Sequence, residues 1–198
     1  MLEKLLVATG NKGKLEEIRE ILSNIEVLGL KDVGIDCDVE ETGTTFAENA
    51  FIKAHEISKR SGLPVLADDS GLQVDALDGR PGVYSARFAG ENATDDDNVL
   101  KLLSLLQDIP EQDRSARFAC AMCLIFPDGR KIESFGVSCE GYILNSKRGV
   151  NGFGYDPVFY SPVHKKTFSE ISMEEKNKVS HRKAALVALS EKLKGEHI

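Results

Sequence analysis

Apolar positions along the chain fall into two spacings, and the switch between them marks out most of the elements. Leu5-Leu6-Val7-Ala8 and Pro64-Val65-Leu66-Ala67 are short unbroken apolar runs that read as strands, and IEVLGL (25–30) reads as another. Leu15, Ile18, Ile21 and Leu22 recur instead at helical spacing, so a helix follows the first strand after the turn at 9–14. Thr45 with Glu48 makes a capping box that opens a helix to about Arg60, stopped by Ser61-Gly62 and Pro64. Thr94 with Asp97 opens a second, carrying Leu100, Leu103 and Leu106 and ending before Pro110; Ser172 with Glu175 opens a short third, and SHRKAALVALSEKLK (180–194) forms the last. LQVDAL (72–77) continues extended after the acidic Asp68-Asp69-Ser70-Gly71. ARFACAMCLIF (116–126) and KIESFGVSCEGYIL (131–144) flank Pro127-Asp128-Gly129, the strongest hairpin signal in the chain. Early alternation of strand and helix with a late antiparallel pair predicts an α/β protein with a mixed β-sheet flanked by helices.

At 198 residues, 41% of them hydrophobic and 29% charged, the chain can close one sizeable core, and residues 1–198 read as a single domain. The net charge of −7 argues against a nucleic-acid surface, so any basic cluster must be local. No segment approaches the ~20 apolar residues of a membrane span, and the first apolar run is too short for a secretion signal. A cytoplasmic protein is expected. Cys37, Cys120, Cys123 and Cys139 fit a reducing compartment as small apolar residues. Cys120-Ala-Met-Cys123 lies in a strand-like run, where side chains three apart point to opposite faces, which speaks against zinc.

Four groups of polar residues look out of place, all near the ends of predicted elements. Thr9-Gly10-Asn11-Lys12-Gly13-Lys14 joins a strand to a helix but is no Walker loop, since Ala8 stands where the first glycine should be and Leu15 where the hydroxyl should be. It is no dinucleotide fingerprint either, because two residues separate Gly10 from Gly13. Backbone N–H groups and two lysines at a helix N-terminus nevertheless suit phosphate, the plainer alternative being a tight turn with surface lysines. Glu40 and Glu41, then Asp68 and Asp69 after an apolar strand, offer carboxylates to Mg2+, or else form solvated turns. The two aspartates face opposite ways and so have different tasks. Asn49 and Lys53 share a helix face with Glu56.

In GFGYDP (152–157), glycines around Phe153 let backbone approach a flat ligand, Phe153 or Tyr155 can stack, and Asp156 can accept from a ring N–H. An aromatic-anchored turn is the alternative. Lys176, His181 and Arg182 place positive charge where the helix dipole opposes it, which suggests an anion or carbonyl, although a lone histidine is more often structural. Taken together, the groups describe a nucleoside triphosphate site without a Walker loop.

ATGNKGKLEEI, EETGTTFAENAFIKA, LADDSGL, GVYSARFAG, GFGYDPVF and SMEEKNKVSHRKAAL, in this order and nearly end to end, resemble the inosine triphosphate pyrophosphatases, which hydrolyse ITP, dITP and XTP. The resemblance implies an elongated mixed sheet with helices in two lobes and an active-site cleft between them, a homodimer, and Mg2+-dependent cleavage of the triphosphate to monophosphate and pyrophosphate. It implies that Thr9, Gly10, Asn11, Lys12, Gly13 and Lys14 bind the triphosphate with Lys53, that Asp69 is the general base beside Asp68, and that Ser70 touches substrate. Glu41 and Asp69 are implied as Mg2+ ligands, with Glu40 a close rival. Phe153, Gly154, Tyr155, Asp156, Lys176, His181 and Arg182 are implied on the base and sugar side.

On this reading Lys14 and Lys53 neutralise phosphate charge while Asp69 handles the water. Arg182 donates to O6 of a 6-oxopurine and Asp156 accepts its N1–H, a pattern adenine cannot match. A pyrimidine-nucleotide pyrophosphatase and a non-hydrolysing nucleotide sensor are the rival readings.

Overall fold

The computed structural model describes residues 3–36 and 39–195, side chains at 136–138 excepted; Cys37 lies outside the described residues. Among the described residues seven strands form one mixed sheet: β1 (Lys4–Val7), β2 (Glu26–Gly29), β3 (Val65–Val74), β4 (Ser115–Ile125), β5 (Lys131–Ile143), β6 (Phe159–Ser161) and β7 (Lys166–Thr167), in the order β2-β1-β3-β4-β5-β6-β7. β1 pairs in parallel with β2 and β3, while β6 pairs antiparallel with β5 and β7. Helices α1 (Lys12–Ile21), α2 (Phe46–Ser61), α3 (Asp95–Leu106), α4 (Met173–Val179) and α5 (His181–Gly195) flank it. None of the described helices is long and apolar enough to cross a membrane. The α/β fold with a mixed sheet matches the sequence expectation.

The chain forms two compact units. The first comprises Met1–Asp69, Cys120–Gly136 and Arg182–Ile198, the second Ser70–Ala119 and Val137–His181. In the first, β1 is buried on both faces, which is why its sequence is a continuous apolar run rather than an alternation. Leu5 and Val7 pack with Ile18 of α1 and Ala185, Leu186 and Leu189 of α5, whereas Leu6 and Ala8 pack with Ala50, Ala54 and Ile57 of α2. β3 follows the same alternation, Leu66 facing the α1 and α5 side and Val65 and Ala67 the α2 side. The second unit has its own core, with Leu72, Val99, Leu102, Phe118, Tyr155, Phe159 and Phe168 among its members.

The capping boxes at Thr45/Glu48, Thr94/Asp97 and Ser172/Glu175 all form, and Gly62 ends α2 in a left-handed conformation at φ 64° that a side chain would strain. Phe126 N–H donates to the Arg130 carbonyl at 2.9 Å, closing the turn around Asp128-Gly129. Three boundaries differ from the sequence reading. The extended run expected over 72–77 stops at Val74, and Asp75–Leu77 forms a 3-10 helix. α1 begins at Lys12, inside the loop, because Asn11 is its N-cap: its side-chain oxygen accepts the Lys14 N–H at 3.1 Å. More consequentially, Asp68 and Asp69 do not end a strand. β3 runs unbroken through them to Val74, since each carboxylate finds cationic or amide partners on its own face.

Candidate active site

The N-terminus of α1 is the base of the first unit's site. The Thr9 hydroxyl accepts the Asn11 N–H at 3.2 Å and Asn11 takes that of Lys14, so the loop's own hydrogen bonds set its shape. The first-turn amides of Lys12 and Gly13 have no intrahelical acceptor by position, and the dipole makes that end attractive to an anion. Lys12 is exposed, whereas Lys14 turns inward.

Where Lys14 goes follows from the alternation of β3. Asp68 shares the Leu66 face and is wholly buried, its Oδ2 lying 3.1 Å from Lys14 Nζ and 3.4 Å from both Nε and Nη2 of Arg182. Arg182, at the start of α5, is 1% exposed and also donates from Nη1 to Glu17 Oε2 on α1. Two cations and two anions thus interleave as Lys14, Asp68, Arg182 and Glu17. Burial alone would raise the Asp68 carboxyl, but Lys14, Arg182 and Lys53 outweigh it and hold it well below the usual carboxylate range. Burial likewise works against the charge of Arg182, and Asp68 and Glu17 more than restore it.

Asp69 faces the other way. Its Oδ2 accepts from Asn49 Nδ2 at 3.1 Å, and its Oδ1 lies 3.7 Å from Lys53 Nζ. Lys53, one turn beyond Asn49 on α2, is itself buried and donates to Glu41 Oε1 at 2.7 Å. One ammonium therefore gathers Glu41 and Asp69. Burial pushes Asp69 above its ordinary value, Glu41 adding to the effect and Lys53, Lys14 and the Asn49 amide opposing it. A carboxylate so raised is a better proton acceptor. Lys53 is raised too, because Asp69, Asp68 and Glu41 outweigh its burial. Glu41 is half-buried, its neighbour Glu40 exposed.

The second unit holds the base-side candidates. Asp156 and Lys176 are both buried and paired at 2.7 Å, and Asp156 Oδ2 also accepts the Phe153 N–H at 3.0 Å. Lys176 Nζ lies 4.6 Å from the Phe153 ring centroid and 5.5 Å from that of Phe168. Gly152 has φ 76°, and a Cβ there would come within 2.2 Å of Asp156 Oδ2, so a glycine is required on both counts. Of the two aromatics in the motif, Tyr155 is buried, its hydroxyl donating to the Ser85 carbonyl at 2.8 Å, which leaves half-buried Phe153 as the ring placed to stack. His181 is buried with its ring 4.9 Å from that of Phe118, nearly parallel, and Ser70 is half-buried. Gly154 N–H donates to Asp95 Oδ2 on α3 at 2.7 Å.

Residues 5–192 match the model that describes the Ham1 family. The chain belongs to that family. A dITP/XTP pyrophosphatase of Halalkalibacterium halodurans is 52% identical to it over 190 residues, 95% of this chain and 97% of that one. Its counterpart of the same name in Geobacillus kaustophilus is 49% identical over 192 residues, 96% of this chain and 94% of that one. The solved Ham1 protein of Staphylococcus aureus superimposes with a TM-score of 0.84 at 43% identity, covering 98% of this chain and all of that one. The HAM1 protein of Coxiella burnetii does so with the same score at 44% identity and the same coverage.

Within this Ham1 chain, the motif residues bring Thr9–Lys14, Glu41, Lys53, Asp68, Asp69 and Arg182 into one unit, and Ser70, Phe153–Asp156, Lys176 and His181 into the other. Two structural partners were not singled out from sequence. Glu17 carried a signal: it is three residues after Lys14 and four before Ile21, on the inward edge of α1. Asp95 carried none, because an acid in the first turn of a helix is ordinary dipole chemistry.

Proposed function

We propose that this protein hydrolyses non-standard purine nucleoside triphosphates, the class of dITP, XTP and ITP, to the monophosphate and pyrophosphate, removing them from the nucleotide pool. The observation that carries the reading is the buried Lys53 ammonium joining Glu41 to Asp69, whose carboxyl pKa is raised by burial, in the same unit as the Thr9–Lys14 loop. A loop for phosphate beside acids set to handle water is what a hydrolase needs. The names of the 52% and 49% identical relatives support the same activity.

In the reaction, a water oxygen bonds to the α-phosphorus, the bond from that phosphorus to the bridging oxygen breaks, and pyrophosphate leaves with the electron pair. Asp69 accepts the proton of the water. Lys14 and Lys53 supply positive charge against the phosphate oxygens, the main requirement of phosphoryl chemistry. Asp68 keeps the Lys14 side chain turned toward the strand.

Mg2+ fits this donor set. Among the described residues no three His, Cys, Asp or Glu side chains form a metal cage, and Mg2+ is commonly held by one or two carboxylates with phosphate oxygens and waters. Glu41 and Asp69, already gathered about one cation, would hold it; Glu41 rather than exposed Glu40 is the choice because it reaches Lys53. When bound, such an ion lowers the pKa of its water and neutralises phosphate charge.

For the base, Lys176 is a donor and Asp156 an acceptor within one buried pair. A 6-oxopurine presents the matching acceptor O6 and donor N1–H, whereas adenine reverses both and leaves buried groups unpaired. In this reading Lys176 serves as the base-side donor because it stands beside Asp156, while Arg182 pairs with Glu17 and Asp68. The reading extends to a cytoplasmic protein and to a homodimer, the latter tested by light scattering of the purified protein.

The deciding assay is pyrophosphate release from dITP, XTP, ITP, GTP, ATP and dTTP, with Mg2+ and with a chelator. Metal-dependent release from the first three, with little from ATP, is expected. Binding without release would make the protein a sensor, and preference for dTTP a pyrimidine enzyme.

A further inference from the structure

Asn49 has no part in the chemistry described above, yet it is wholly buried and bonded to one of the carboxylates that chemistry uses. Its Oδ1 accepts the Gly43 N–H at 2.8 Å, and its Nδ2 donates to Asp69 Oδ2 at 3.1 Å. Gly43 lies two residues beyond Glu41. A single amide therefore ties the acidic loop to the strand that carries Asp69. The approach is close: a Cβ on Gly43 would come within 2.6 Å of Asn49 Oδ1, so the loop reaches this position only because residue 43 has no side chain.

Lys53 makes the same connection one helical turn away, but by charge. The two ties differ in what a divalent cation does to them. Glu41 and Asp69 would hold such a cation, and its positive charge would oppose the Lys53 ammonium that they now share. The Asn49 amide is neutral and donates to Oδ2 of Asp69, whereas Lys53 lies nearer Oδ1.

We infer that Asn49 is a positioning residue: through Gly43 and Asp69 it fixes the spacing of Glu41 and Asp69 and so sets the affinity of this pair for a divalent cation. The inference rests on the pyrophosphatase reading with Glu41 and Asp69 as cation ligands. Groups that orient metal ligands from behind typically change metal affinity ~10–100-fold when removed.

The test is Mn2+ titration of the nucleotide-free protein, followed by the electron paramagnetic resonance of free Mn2+, for wild type, Asn49→Ala, Gly43→Ala and the double variant, with circular dichroism and thermal melting to confirm folding. Asn49→Ala should weaken Mn2+ by ~10-fold or more. Gly43→Ala removes no polar group and should weaken it in the same direction, by pushing the loop off the amide. In the double variant the two effects should fall short of their product, since both act through the Gly43–Asn49 contact, although the Cβ at residue 43 also meets Glu48 Cβ at 2.7 Å. Should Asn49→Ala not fold, Gly43→Ala alone carries the comparison. A folded Asn49→Ala that binds Mn2+ within twofold of wild type, or single effects that simply multiply in the double variant, would overturn the inference while leaving the hydrolase reading intact. Wild type that binds no Mn2+ would overturn the inference and the cation site together, and wild type that releases no pyrophosphate from dITP would remove the activity on which both rest.

Discussion

Arg182→Met makes the most demanding test of the first unit's interior. The wild-type guanidinium is 1% exposed and stands between Glu17, also 1% exposed, and wholly buried Asp68. Methionine fills much of the volume but leaves two carboxylates without their shared counterion, and Asp68 is left with Lys14, at 3.1 Å, as its near ion-pair partner. Removing one partner of a buried charge pair typically costs ~3–5 kcal/mol, because the orphaned charge has lost both water and its mate. For a chain of this size that corresponds to a fall in melting temperature on the order of 10 °C. Urea unfolding at pH 7 reads the loss directly. Adding Glu17→Gln removes one orphan, so the double variant should regain ~1–3 kcal/mol over Arg182→Met alone. Arg182→Lys should fall between, since a single ammonium cannot reproduce a fork that meets Asp68 with two nitrogens and Glu17 with a third. Stability of Arg182→Met within ~1 kcal/mol of wild type, or a double variant whose losses add, would refute the view that these four residues balance as a unit.

Three further outcomes are expected. Asp69→Asn should lower the pyrophosphate-release rate by ~10²-fold or more with an intact circular dichroism spectrum, since it removes the proton acceptor and leaves the strand in place. Lys176→Met should reduce kcat/KM for dITP far more than for dATP, narrowing the ratio between them by ~10-fold or more, because only the 6-oxo base uses its donor. Thr94→Ala should destabilise α3 at pH 7 and less in acid, where the bond from the Thr94 hydroxyl to the Asp97 carboxylate is lost but the Asp97 N–H bond to that hydroxyl remains. Asp97 is held below its usual value by the Thr94 side chain and N–H, so its contribution is complete above the ordinary carboxylate pKa and lost as pH falls through the lower folded value; thermal melts at pH 7 and pH 3 compare the two.

What could be read from the residues and what could not divides along physical lines. Capping boxes, the Asp128-Gly129 turn and the apolar runs are local signals, and each appears where it was read. The opposite orientation of Asp68 and Asp69 followed from period-2 geometry alone, and the structure gives each its own set of partners. The continuation of β3 through both was not legible, because two adjacent acids look like a solvated turn until Lys14, Arg182, Asn49 and Lys53 arrive from distant parts of the chain. Arg182 was legible as charge placed against a helix dipole. That it is consumed by Glu17 and Asp68 depends on a meeting of α1, β3 and α5 that no spacing within any one segment reveals. Tyr155 and Phe153 are equivalent by composition, and only the hydrogen bond to Ser85 separates an anchor from a ring placed to stack.

Arg182 stands 114 positions after Asp68 and 165 after Glu17. During vectorial synthesis both carboxylates therefore emerge long before the cation that permits their burial, and so do the faces of β1 and β3 that Ala185, Leu186 and Leu189 will cover. A nascent chain can make the phosphate loop and the paired aspartates early, but it cannot seal the interior behind them until α5 has been translated. The closing charge arrives late, so completion of the first unit is timed to near the end of the described chain, and shortened chains ending before residue 182 should remain sensitive to protease in the segment around Asp68.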